Sequence, residues 1–305
     1  MVSYATALKN NNKNIVINKQ KIIDYIEDCH LSDGGYFFAK VEPSSGLETY
    51  LAVKTLKLLG VKPKNAKSVA SFWKNEGNEG NLNSLFLIFL AVETYKEFGL
   101  RIRLFKKYRR YLADYCKHII PRKTFFYSKN KRLGQKDFPF VMSYFSTVGK
   151  ELEDLYYLVT LNRDLKMRII DRAKVIKLVI SLQNKNGGFG RGRESHLMAT
   201  YHALSILNLL SFNPPTKEKV YEYLVEKWGD CDLLEDLFCI IESLTLIKKP
   251  LPNINEVIQF VDSCQRGNGG FGRAPVMSIP TIEDTFRAVS IIKICENYSH
   301  KKFLR

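Results

Sequence analysis

The stretch Leu182–Leu207, LQNKNGGFGRGRESHLMATYHALSIL, decides how this chain folds. An apolar-periodic segment, Val175–Leu182, leads into it, with apolar residues at 175, 176, 178, 179, 180 and 182, the pattern of a helix buried almost all round. Gly187-Gly188 ends that helix, because only glycine reaches positive φ without steric cost. After a polar loop, Thr200–Leu210 resumes the helical period, with apolar positions 201, 203, 204, 206, 207, 209 and 210. The segment therefore reads as a helical hairpin: helix, Gly-Gly-aromatic turn, variable loop, helix.

The unit repeats. Ile22–Gly60 carries Gly34-Gly35-Tyr36, and Val257–Cys295 carries Gly269-Gly270-Phe271. Three further copies are degenerate: Val69–Gly99, Arg101–Leu165 and Val220–Lys248. The residues just before each Thr/Leu-aromatic pair are Glu48, Ser84, Asp154, Ala199, Asp236 and Asp284, about 47 apart on average. One wide interval marks an insertion at about 119–150. Six hairpins account for the chain as a single domain over 21–298, with an N-terminal arm 1–20 and a tail 299–305. An open solenoid needs polar capping repeats, yet the first and last repeats are among the best formed, which favours closure into a ring.

Composition bounds the function. The chain has 305 residues, 45% hydrophobic and 26% charged, an ordinary globular balance. Its 47 Lys and Arg against 31 Asp and Glu leave a net charge of +16, which points to an anionic partner. Three quarters of that excess lies in residues 100–136, where thirteen basic residues face one acid, Asp114. No apolar run is long enough to span a membrane, and Met1–Gln20 lacks the apolar core of a signal peptide. The six scattered cysteines read as reduced thiols, so the expected location is cytoplasmic, with peripheral membrane attachment as a variant. Walker loops, CxxC pairs and a GxGxxG after a strand are absent.

The quoted stretch, together with CQRGNGGFGR…IEDTFRAVSII around Gly269-Gly270, resembles the repeat shared by protein prenyltransferase β subunits and proton-initiated squalene/terpene cyclases. The resemblance extends over all six repeats, strongly in three. It implies an all-α fold, an α/α toroid whose six helical hairpins close into an α6/α6 barrel with an isoprenoid-binding funnel. It fixes the fold better than the reaction, since function resides in sites placed on a fold.

The family's sites carry over residue by residue. Protein prenyltransferases hold zinc with an Asp-x-Cys-Tyr and, one repeat later, a Tyr-His. Tyr201-His202 matches the second element and makes His202 the candidate metal ligand. At Glu153-Asp154-Leu155-Tyr156 a leucine stands where the cysteine belongs, so the zinc set is incomplete and the cofactor is left unknown, with zinc and magnesium as the candidates. Cyclases carry Asp-x-Asp-Asp-Thr. Glu153 with Asp154, and Glu283 with Asp284, keep part of that spacing and are the candidate catalytic acids. Acids at a helix N-terminus also simply complement its dipole. For a prenyl diphosphate, the resemblance points to Arg191, Arg193 and Arg273 in the turns after Gly-Gly-Phe, with Tyr201 and Arg287 on the following helices.

Arg101–His118 reads as an amphipathic helix with Leu104, Tyr108, Tyr111, Leu112 and Tyr115 on one face and cations on the other. The basic segment 101–136 suits a membrane surface or a helical partner subunit, with nucleic acid as a third reading and a solvated outer helix as the plain one. Two functions follow. One is an isoprenoid-related enzyme taking a prenyl diphosphate or polyprenyl chain in the funnel. The other is a non-catalytic toroid scaffold for a partner protein, a membrane surface or nucleic acid.

Overall fold

The structure is a computed structural model and describes residues 18–120, 147–191 and 194–303. Arg193, most of the 1–20 arm and most of the 119–150 insertion lie outside the described residues. The elements in chain order are α1 (Lys19–Asp28), α2 (Gly46–Leu58), α3 (Ala66–Asn78), α4 (Leu85–Glu97), a 3₁₀ helix (Ile102–Tyr108), α5 (Arg109–Ile119), α6 (Thr147–Asp164) and α7 (Arg172–Ser181). They continue with α8 (Leu197–Leu209), α9 (Lys217–Gly229), α10 (Leu234–Leu246), α11 (Ile254–Ser263), the short strands β1 (Phe271–Gly272) and β2 (Pro280–Thr281), and α12 (Ile282–Phe303). Six helical hairpins are thus present among the described residues, and the fold class is all-α.

The chain divides into two compact units, Met1–Ile102 with Leu224–Arg305, and Arg103–Tyr223. In the first, α2 packs between α4 and α12, and α12 between α2 and α10. In the second, α8 packs on α6, with α5 against α6 and α7 against α8. Two kinds of helix make these layers. The second helix of a hairpin is buried round more than a full turn, as in Ile88–Val92 of α4, His202–Leu207 of α8 and Leu237–Ile241 of α10. The first helix buries only a stripe, Val69, Phe72 and Trp73 in α3 or Val257, Phe260 and Val261 in α11, at the i, i+3, i+4 spacing of an amphipathic surface helix.

One hydrogen-bond pattern explains the repeat. At each strong Gly-Gly-aromatic turn the aromatic side chain is fully buried (Tyr36, Phe189, Phe271), and its N–H donates to the hydroxyl of the threonine in the following helix. Tyr36 N donates to Thr49 Oγ1 at 2.9 Å, Phe189 N to Thr200 Oγ1 at 3.0 Å and Phe271 N to Thr285 Oγ1 at 3.0 Å. The preceding Asp33, Asn186 or Asn268 accepts from the second glycine's N–H. The first glycine has φ of +95° in Gly34 and +94° in Gly187 and Gly269, and lies against the first helix of another hairpin. An added Cβ would sit 2.4 Å from the Ser68 carbonyl oxygen, 2.2 Å from the Lys219 carbonyl carbon and 2.2 Å from the Lys21 carbonyl oxygen, respectively. The last of these contacts joins the sixth hairpin to the first, so the terminal hairpins meet through the same joint as internal neighbours, in line with the closure expected from the sequence.

Gly187→Ala is therefore expected to destabilise the protein by about 3 kcal/mol, from left-handed strain plus a backbone clash. Gly149→Ala, in α6 with nothing near its added carbon among the described residues, should leave the urea midpoint unchanged or slightly raised.

The basic segment departs from its expected form. Residues 102–108 form a 3₁₀ helix and only 109–119 an α-helix. The inward side chains are Phe105, Leu112 and Cys116, while Leu104 and Tyr111 are exposed. Like charges at i, i+4, Arg103 with Lys107 and Lys106 with Arg110, disfavour an α-helix there, and burying Phe105 sets the phase instead. All six cysteines are free thiols, five of them buried. Among the described residues no helix is long and apolar enough to cross a membrane.

Candidate functional site

In the first unit, candidate acids and candidate arginines turn out to be each other's partners. Thr281 caps α12, its Oγ1 accepting from Asp284 N at 3.0 Å and donating to Asp284 Oδ2 at 2.9 Å. Arg287, one turn on, donates to Asp284 Oδ1 at 2.8 Å and to Glu283 Oε1 at 2.6 Å, and stands 3.9 Å from Glu235 Oε1 on α10. The pair is buried, with side-chain exposures of 13% for Arg287 and 8% for Asp284. Burial opposes the guanidinium's charge, but the carboxylates of Glu283, Glu235 and Asp284 outweigh it and hold Arg287 protonated more firmly than usual. Arg273 lies 3.4 Å from Glu235 and is mostly exposed.

Glu48, one of the register residues of the repeat, was not among the candidate acids. It is buried in the first turn of α2, where its Oε2 accepts from Phe38 N at 2.7 Å. Burial first, and the charge of Glu283 second, push its carboxyl up to about 7, against the pull of the Phe38 N–H. Its acid and carboxylate forms therefore coexist near neutral pH, the condition for proton transfer in both directions. Burial and the neighbouring Glu235 also raise Asp236. With Glu48, Glu235, Asp236, Glu283 and Asp284 against Arg273 and Arg287, this cluster carries an excess of acid in a basic protein.

One turn into the same helices lies a belt of aromatic rings. Tyr50 of α2 meets Phe89 of α4 at 6.1 Å between centroids, and Phe238 of α10 meets Phe286 of α12 at 5.9 Å. Lys54 links the two pairs: its Nζ stands 5.3 Å from the Tyr50 centroid and 5.0 Å from that of Phe286, and donates to Tyr50 Oη at 3.0 Å. The belt therefore already holds a positive charge over two of its ring faces. On α10, Glu242 has its carboxyl raised by burial, with Lys54 opposing.

The second unit repeats the layering. At the start of α6, Lys150 pairs with Glu153 at 3.1 Å and Asp154 at 3.0 Å, while Asp154 Oδ2 accepts from Tyr115 Oη at 2.9 Å and Glu153 Oε1 from Tyr157 Oη at 2.5 Å. Arg191 makes a two-pronged bond to Glu151 at 2.6 and 2.8 Å, both side chains more than half exposed. Arg191 and Arg273 thus do the same thing: the arginine after Gly-Gly-Phe-Gly reaches an acid at the start of the preceding hairpin's second helix. Among the rings, His202 stacks on Tyr156 at 5.8 Å and touches Tyr201 at 5.2 Å. Burial keeps the imidazole neutral, lowering it to about 4, and its Nδ1 has no hydrogen-bond partner among the described residues.

A neutral imidazole with a spare nitrogen suits a metal, but a zinc ion needs companions. Leu155 is buried where a thiolate would stand, and both oxygens of Glu153, at the acid position, are engaged by Tyr157 and Lys150. Among the described residues no three His, Cys, Asp or Glu side chains come together to hold a metal. The residues present do not fit the zinc that the resemblance implied.

Over residues 1–83, 79–230 and 229–304 the chain matches the family model described as the prenyltransferase alpha-alpha toroid domain. No curated protein sequence matches it. Among solved structures it is similar to Candida albicans protein geranylgeranyltransferase-I complexed with GGPP, at 16% identity over 93% of this chain and 92% of that one, with a TM-score of 0.63. A likeness at that identity is one of fold.

Proposed function

Because this chain belongs to the prenyltransferase alpha-alpha toroid domain family, and its fold is the α/α toroid of that family, we propose that it is an isoprenoid-handling enzyme. The prenyl chain lies against the belt of Tyr50, Phe89, Phe238 and Phe286, and Glu48 exchanges a proton with it. The observation that carries this reading is the buried carboxyl at about 7 on the same helix as Tyr50, backed by rings that already hold a positive charge.

The chemistry is acid–base. The acid form of Glu48 gives its proton to one carbon of an alkene, the π pair forms the new C–H bond, and the other carbon becomes cationic. Ring faces stabilise that cation, and removal of a proton from a neighbouring carbon restores a double bond and returns Glu48 to its acid form. Glu283 keeps the acid form of Glu48 populated through its charge, and Asp284 with Arg287 fixes Glu283 in place. Glu153 and Asp154 form the corresponding acid pair of the second unit.

Diphosphate recognition is the second reading, favoured by the exposed Arg191. A phosphate can replace Glu151 on its guanidinium, with Tyr201 and Arg193 as further candidate donors from the same hairpin; Arg273 is the corresponding candidate of the first unit. The acid excess around Arg287 weighs against a diphosphate in the first unit.

Equilibrium binding of farnesyl and geranylgeranyl diphosphates, and of the matching alcohols, separates the readings. Proton chemistry on the belt predicts that alcohols bind within about tenfold of diphosphates, and that Phe286→Ala weakens both by about thirtyfold, the worth of a buried phenylalanine contact. No binding of either class, or an unaffected Phe286→Ala variant, refutes it and returns the protein to the scaffold reading.

A further inference from the structure

The loop after α6 lies along α5. Arg109 Nη2 donates to Met167 O at 3.3 Å, Cys116 Sγ to Ile169 O at 3.4 Å, and Ile169 N to Asn162 Oδ1 at 2.9 Å. Along that loop burial alternates: Leu165 and Met167 are buried, Lys166 and Arg168 exposed. Lys166 and Arg168 sit at φ of +53° and +52°, a conformation that L-residues rarely adopt and that surrounding contacts must hold. Two cations distant in sequence from the 101–136 run are thus set beside it.

We propose that Arg103, Lys106, Lys107 and Arg110, together with Lys166 and Arg168, form one composite surface that docks the protein on an anionic membrane. None of the six has an ion-pair partner among the described residues. The nearby acids are already committed: Asp114 to Lys117 at 2.6 Å, Asp164 to Arg163 at 2.8 Å, and Asp171 to Lys174 at 3.5 Å. Charge complementarity therefore names an anionic occupant. Leu104, 50% exposed, and Tyr111, 38% exposed, stand among these cations. An aliphatic side chain gains by entering the headgroup layer and gains nothing from nucleic-acid phosphates, which selects a lipid surface over RNA. The apolar side of α5 is turned into its own unit through Leu112 and Cys116, so attachment is electrostatic and reversible.

Each cation near an anionic leaflet strengthens partitioning about fivefold. Cosedimentation of the full chain with phosphatidylserine–phosphatidylcholine vesicles should show binding that fades with salt and is lost on phosphatidylcholine alone. Lys106→Gln/Lys107→Gln and, separately, Lys166→Gln/Arg168→Gln should each weaken it about twentyfold with unchanged melting temperatures. The second pair is decisive, because it lies outside the basic run and reports only the composite surface. Wild-type binding by the Lys166→Gln/Arg168→Gln variant overturns the proposal, as does failure to bind anionic vesicles, or tighter binding to mixed-sequence single-stranded RNA than to vesicles. None of these outcomes depends on the isoprenoid reading.

Discussion

Glu48→Gln is expected to stabilise the protein above neutral pH and to disable it. The Glu48 carboxyl rises on folding from about 4.5 to about 7, chiefly by burial. A raised carboxyl favours the folded state fully only below its unfolded value, and that contribution is lost as pH climbs through the folded value. At pH 8.5 wild type holds an ionised Glu48 in a buried site, whereas the glutamine variant holds a neutral amide of the same shape. The variant should be more stable there by about 2–3 kcal/mol, and the advantage should vanish below about pH 4.5. Thermal melts across that range measure it, and a displacement that does not change with pH would show that Glu48 does not titrate as a buried acid. Turnover of a prenyl substrate should meanwhile fall at least a hundredfold, since glutamine can neither give nor take the proton. A substitution that raises stability and removes activity is the mark of a residue held in place for chemistry.

Arg287→Met should have the opposite effect on stability. The guanidinium is buried between Glu283 and Asp284, with Glu235 close by. Removing it leaves carboxylates without their counter-charge, and breaking a buried pair in this way costs about 3–5 kcal/mol. Arg287→Lys keeps the charge but cannot bond two carboxylates with one planar fork, so it should fall between. Urea denaturation of the three proteins measures the order. If Arg287→Met were as stable as wild type, Arg287 would be available to an incoming anion, and the diphosphate reading of the first unit would recover.

The fold was legible because its defining bonds are local. The Gly-Gly turn, the Asx bond before it and the threonine hydroxyl that caps the aromatic N–H all fall within about fifteen residues, so they leave a mark that repeats. The site was legible only as a set of residue types. Asp284 and Arg287 could be named separately, one as an acid and one as an anion binder, but their mutual bond follows from their sharing a buried helix face. Glu48 stood in the aligned register, yet what singles it out is non-local: its burial and the charge of Glu283 from α12. Lys166 and Arg168 carried no signal, since only the packing of their loop on Arg109 and Cys116 of α5 sets them beside the basic run. The amphipathic helix expected over 101–118 forms as an α-helix only from Arg109, because periodicity assigns a face without weighing repulsion between neighbouring cations.

The joint between Gly269 and Lys21 also has a kinetic side. The partner of α1 is synthesised about 250 residues after it, which at ribosomal speed is roughly 12–50 s of waiting. During that interval Lys21 and Tyr25 lack the Gly269-Gly270 turn that packs on them. The joint between the sixth hairpin and the first is thus among the last to close during synthesis, although α1 itself emerges early.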